Sequence, residues 1–230
     1  MEERKVAKER LPKNASQPQA ALHQASDELL DALSPVIENL GRMLGVARHA
    51  FNRESLEDLQ ELTRLRGVAS QEIEAILERV ERATAERPEA ERVPLLRIHE
   101  ILNHLRLICE NVAMLAEPIR KKIIDKLLFS DKAFFDVNYF FTHQTGLMRA
   151  LSDIVKADNQ SLRRYLEEEG QHLIKVCLNA ATEHETRLIE GICLPKSSPV
   201  FLGILDHMRV VCWHVLEIVK LFGGKSETSR

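Results

Sequence analysis

Residues 101–112 read ILNHLRLICENV, and residues 204–215 read ILDHMRVVCWHV. The two lines stand 103 positions apart in a chain of 230 residues, and Ile, Leu, His, Arg, Cys and the final Val recur in register. Advancing about 100° per residue from Ile101 gathers Leu105, Ile108, Val112, Leu115 and Ala116 on one helix face. The second line places Ile204, Met208, Val211, Val215, Ile218 and Val219 the same way. Most of the repeated letters therefore belong to the packing seam of a helix that the chain builds twice. His104 and His207 fall at the edge of that seam, where a hydrogen-bonded role is the simplest reading. Arg106 and Arg209 fall away from it. Glu110 and Trp213 stand one turn on from the arginines, and Met114 and Glu217 two turns on. A tryptophan on an otherwise solvated face marks a partner surface or a contact between repeats.

The surrounding sequence has the same plan in both halves. A first helix over about 26–51 carries Leu29, Leu30, Leu33, Val36, Ile37 and Leu40 on one face, with a bend at Pro35. The break Asn52-Arg53-Glu54-Ser55 follows, and Ser55 with Asp58 starts a second helix reaching about Thr84. After the loop AERPEAERVP, Pro94 opens a third helix with the first motif copy, kinked at Pro118 and continuing to about Leu128. The second half repeats this with helices over about 131–157, from Ser161 to about Glu190, and from Ser198 and Pro199 to Gly223-Gly224. The expected fold is all-α, a duplicated three-helix antiparallel bundle of six long helices. The expected divisions are a disordered tail over 1–19, repeats over 20–128 and 129–224, and a short disordered tail over 225–230.

Composition narrows the function. Hydrophobic residues make up 44% of the chain, enough for a large core, and a net charge of −3 gives no reason to expect nucleic acid. No apolar run long enough to span a membrane is visible, and the N-terminus lacks a signal-peptide core, so a cytoplasmic location is expected. Cys109, Cys177, Cys193 and Cys212 form no CxxC pair and read as packed thiols. No phosphate loop, HExxH or GxSxG is present. Glu100 with His104 lacks the spacing of a di-iron bundle, and Gly203 stands where a second glutamate would be needed. Glu183, His184 and Glu185 read as a solvated helix end, and Glu167 to Glu169 as a solvated face. Arg120, Lys121, Lys122 and Lys126 either cap a helix end or touch an anionic surface. Phe134, Phe135, Tyr139, Phe140 and Phe141 either fill the junction between the halves or form a docking patch.

A duplicated three-helix bundle with a motif on each third helix resembles the PhoU family. These proteins regulate phosphate uptake, and the domain recurs in the tails of sodium-dependent phosphate cotransporters. The family's third helix reads close to LExIxDxxxNIAE, against LRLICENVAMLAE at 105–117 and MRVVCWHVLEIV at 208–219. The segment HETRLIEGIC (184–193) is similar to HxxRLxxGxC of the cotransporter branch, and the likeness covers roughly 25–222. The resemblance implies a non-enzymatic regulator that binds a phosphate transporter or its sensor protein, as monomer or homodimer, without membrane insertion. It also implies carboxylate ligands for metal clusters at four places. Those places hold Arg106, Glu110, Arg209 and Trp213. Only Glu110 keeps a carboxylate, and a guanidinium has no lone pair to give a cation. No metal or other cofactor is therefore expected, and Arg106 is expected to pair with Glu110. The degenerate face Arg106, Glu110, Arg209, Trp213 and Glu217 becomes a candidate contact surface. The rival reading is a helical adaptor or oligomerisation module on the same fold. A metal-binding bundle is a weaker third.

Overall fold

Pro35 and Pro118 each interrupt a helix four residues upstream, because proline lacks the amide that would reach that carbonyl. Helix α1 (Gln17–Asp31) ends four residues before Pro35, and α2 (Leu33–Arg53) continues it across Ala32. Helix α4 (Val93–Met114) ends four residues before Pro118, and α5 (Ala116–Ile124) continues it across Leu115. The remaining helices are α3 (Leu56–Ala85), α6 (Asp131–Lys156), α7 (Gln160–Ile189) and α8 (Ser198–Gly223). With the two kinked pairs taken as single rods, these make six rods, and no strand occurs among the described residues. The structure is a computed structural model that describes residues 17–157 and 159–223.

The expected breaks are met by caps, with two shifts. Ser55 is the N-cap of α3, its hydroxyl accepting from the Asp58 amide at 3.0 Å. The matching cap of α7 is Asn159, not Ser161. Its Oδ1 accepts from the amides of Ser161 and Leu162, because a cap side chain bonds two or three residues ahead. Ser130 caps α6 by accepting from the Ala133 amide. A 3₁₀ turn, Pro195–Ser197, precedes α8, so Ser198 is its first helical residue and not its cap. Helix α1 begins at Gln17, inside the stretch expected to be a tail. The segment QPQAAL is rich in small helix-favouring residues, and Leu22 is buried. The expectations for residues 1–16 and 225–230 lie outside the described residues. Helix α5 stops at Ile124, short of Leu128, where Lys126 turns left-handed with φ 49°.

Helices α2, α4, α6 and α8 form a central four-helix layer. Helix α3 packs on α2 and α4, and α7 packs on α6 and α8. The two halves meet about a pseudo-two-fold axis. Aligning Ser55 with Asn159 places Ser34 on Asn138 and Arg48 on Ser152. The cross-contacts are Ser34 Oγ to Ser152 Oγ at 2.8 Å and Arg48 Nε to Asn138 Oδ1 at 3.0 Å, each the rotated image of the other. One continuous hydrophobic core runs from Leu22 through Phe222. The seam residues named from periodicity lie in it: Leu105, Ile108, Val112, Met208, Val211 and Val219 are all at 0% exposure. Helix α8 and its preceding turn, Pro195–Phe222, are long and apolar enough to cross a membrane by length and composition. The segment is not an uninterrupted apolar run, since Asp206 and Arg209 lie within it. In this fold its apolar face is buried against α4, α6 and α7.

The aromatic group divides. Phe140 and Phe141 are fully buried, while Phe134 and Phe135 are exposed and Tyr139 is half-buried. The basic run also divides. Lys122 is buried, donates to Glu54 Oε1 at 2.6 Å and sits 5.1 Å above the Phe51 ring. Glu54 is the left-handed residue that ends α2, with φ 55°. Lys122 is thus an internal clamp on that turn. Arg120, Lys121 and Lys126 remain exposed.

Candidate contact face on the repeated helices

The repeated lines pack against each other. His104 Nδ1 lies 3.0 Å from His214 Nδ1, and His207 Nδ1 lies 3.2 Å from Asn111 Oδ1. His104 corresponds to His207, and Asn111 to His214. The two contacts are therefore one contact seen twice across the pseudo-dyad, with α4 and α8 antiparallel. An interface of this kind is self-complementary, as in a symmetric dimer. In the His104–His214 pair one ring donates its Nδ1 proton and the other accepts, so this contact requires at least one neutral ring. Burial lowers the pKa of both rings and of His207; Glu217 opposes the shift at His104 and at His214.

Arg106 does not pair with Glu110 as expected. Its guanidinium donates to Asn103 Oδ1 at 3.4 Å, three residues back. Arg209 likewise pairs three residues back, with Asp206 at 2.5 Å. Helical side chains lean toward the N-terminus, so both arginines reach backward along their own helix. The cation facing Glu110 comes instead from α3. Arg66 grips that carboxylate with two bonds, Nε to Oε1 at 3.2 Å and a second terminal nitrogen to Oε2 at 2.7 Å. No local sequence signal identifies Arg66, because only the packing of α3 on α4 brings it there.

Trp213 is 48% exposed, its ring edge-on to His104 at 6.1 Å between centroids. Leu107 and Met114 on α4 are also exposed, and Glu217 is held by Lys220 at 2.6 Å. The outer side of the α4–α8 pair thus presents apolar groups between tethered charges. Arg106 and Glu110 stand at the α4 border of this face, and Arg209, Trp213 and Glu217 lie along α8.

Among the described residues, no three His, Cys, Asp or Glu side chains stand close enough to hold a metal. His184 is not on a solvated end. It is buried against Phe201, and its Nε2 bonds Ser198 Oγ. Glu183 and Glu185 are exposed as expected, and Glu169 bonds His143 across α6 and α7. All four cysteines are free and buried. Burial pushes the Cys109 thiol up to about 11 and the Cys212 thiol up to about 12, and raises Cys177 further. Gln144, which sequence did not single out, is fully buried and donates to the Met208 carbonyl and to Cys212 Sγ.

No family model matches the chain, and no curated protein matches it. Solved structures do. PhoU from Pseudomonas aeruginosa superposes with a TM-score of 0.76 at 15% identity, over 88% of this chain and 96% of that one. The phosphate transport system regulatory protein PhoU from Streptococcus pneumoniae superposes at 0.75 and 12% identity, over 90% of this chain and 95% of that one. Identity this low carries architecture and nothing finer. The chain has the PhoU-like fold, a three-helix bundle written twice in one polypeptide.

Proposed function

We propose that this protein is a non-enzymatic, cytoplasmic regulator of phosphate transport or phosphate signalling that acts by protein–protein contact. The observation that carries the reading is the near end-to-end match to two PhoU proteins, one of them the phosphate transport system regulatory protein of Streptococcus pneumoniae. The proposed contact face is the outer side of α4 and α8, with Trp213 as its anchor and Arg106, Glu110, Arg209 and Glu217 as its charged border. A half-exposed tryptophan beside exposed Leu107 and Met114 is the kind of group that carries binding energy once a partner excludes water. The partner is a phosphate transporter or its sensor protein. Regulation then requires that the face bind one state of that partner better than another.

A second reading is a helical adaptor on the same fold, no longer tied to phosphate. Two observations favour it: no family model matches, and arginine occupies two places where the resemblance calls for carboxylate ligands. Affinity capture of the intact chain from cells starved of phosphate separates the two. Recovery of a phosphate transporter subunit or its sensor, lost in Trp213→Ala, supports regulation. Recovery only of proteins unconnected with phosphate sinks it in favour of the adaptor. The same preparation tests the metal reading, because stoichiometric transition metal held through Glu110 would contradict the arginine argument.

A further inference from the structure

One pole of the bundle is formed by two neighbouring connections, α5–α6 (125–130) and α7–α8 (190–197). They share a cleft of about 510 Å³ lined by Lys126, Leu128, Leu194 and Lys196, among others. Around it stand Ile124, Leu128, Ile189, Ile192 and Leu194, each more than half exposed, with Ile189 at 88% and Leu128 at 73%. Gly191, at φ 74°, turns the chain so that the Ile192 and Cys193 amides both return to the Arg187 carbonyl. Cys193 tucks inward while Ile192 and Leu194 face out.

The pseudo-symmetry supplies an internal control. The corresponding connection between α3 and α4, at the opposite pole, reads ERPEAER over 86–92. It makes the same helix-to-helix turn with polar residues. The fold therefore does not require Ile192 and Leu194 to be apolar, and their exposure works against solubility unless something covers them.

The charges say what covers them. Arg120, Lys121, Lys126 and Lys196 are exposed at this pole, and none of their side chains has an ion-pair or hydrogen-bond partner among the described residues. Asp125, Asp131 and Glu190 offset most of that charge across the pole, but the cleft itself holds Lys126 and Lys196 against one acid, Asp125. Protein–protein interfaces favour aromatics, methionine and arginine and are depleted in lysine. Aliphatic tips ringed by lysine suit a lipid surface instead, with the tips entering the headgroup boundary and the ammonium groups facing anionic headgroups. A second copy docked pole to pole would bring these cations together, which argues against self-association there.

We propose that this pole docks on an anionic bilayer, with Leu128, Ile192 and Leu194 entering the headgroup region and Lys126 and Lys196 contacting the headgroups. The proposal does not depend on the phosphate reading. The test is co-sedimentation of the full chain with vesicles of phosphatidylcholine alone and of phosphatidylcholine mixed with phosphatidylglycerol. Binding to the anionic vesicles is expected to exceed binding to the neutral ones by about tenfold and to weaken with salt. Ile192→Glu with Leu194→Glu should lower it by about tenfold with an unchanged circular dichroism spectrum. Val93→Glu with Leu96→Glu, exposed apolar residues on the first half of α4, should leave it unchanged. Equal binding to both vesicle types, no binding, or equal losses in the two double variants would overturn the proposal. So would a dimer in light scattering that only the loop variant dissolves.

Discussion

His104 and His214 show how much a single residue difference between the repeats does. Where the second copy has His214, the first has Asn111, so one crossing is His–His and its mate is His–Asn. Burial makes His104, His184, His207 and His214 all harder to protonate folded than unfolded. As pH falls below about 6.5 the unfolded chain takes up protons first, so stability declines there and levels off once the folded rings titrate. Urea denaturation from pH 8 to 5.5 should trace that decline. His214→Asn, which copies the partner crossing, should make it shallower; an unchanged slope would remove this pair as a cause. Lys122 gives a second residue-scale expectation. Lys122→Ala removes a buried stem, its contact over Phe51 and the clamp on Glu54, and should cost about 1–3 kcal/mol. Lys122→Met keeps the stem and should cost less. Neither the Lys122 clamp nor the Arg66 grip on Glu110 is legible in the sequence. Each joins residues from different helices, and periodicity says only which face a residue occupies, not who stands opposite.

At the scale of elements the sequence says more, because helix limits depend on local chemistry. Pro35 and Pro118 mark their kinks, and Ser55 marks the start of α3. Misses arise where two candidates compete within a turn. Asn159 takes the cap that Ser161 was expected to supply, since its longer side chain reaches two amides at once. Ser55→Ala and Asn159→Ala should each lower stability by about 1 kcal/mol, measured by chemical denaturation. Ser161→Ala should have a much smaller effect, and comparable losses at 159 and 161 would mean the cap is shared. Packing between elements sets a different limit. Gly170 lies so close to Leu216 that an added methyl would meet its Cδ2 at 2.7 Å. Gly170→Leu should therefore destabilise by about 1–3 kcal/mol through the α7–α8 contact, read in the same denaturation series.

For the whole molecule, the duplication was visible in the repeated line, but the way the halves meet was not. The sequence implied a three-helix bundle built twice, with the aromatics either at the junction of the halves or in a docking patch, and left the packing of the halves open. The structure places α2 against α6 and α4 against α8, so each half supplies two of the four central helices. Residues 20–128 alone would leave the apolar faces of α2 and α4 without their partners. Expressed alone, that segment should form a homodimer with a true dyad in place of the pseudo-dyad, or fail to fold. A folded monomer in light scattering would contradict the shared core. The covalent link also changes how the molecule can vary. In a dimer of identical chains every substitution arrives twice, so a tryptophan at the rim of the seam would face its own copy. Here Trp213 occupies one side and Glu110 the other, each held by different neighbours. Fusion leaves each side free to change alone, so a symmetric scaffold can present two unlike surfaces.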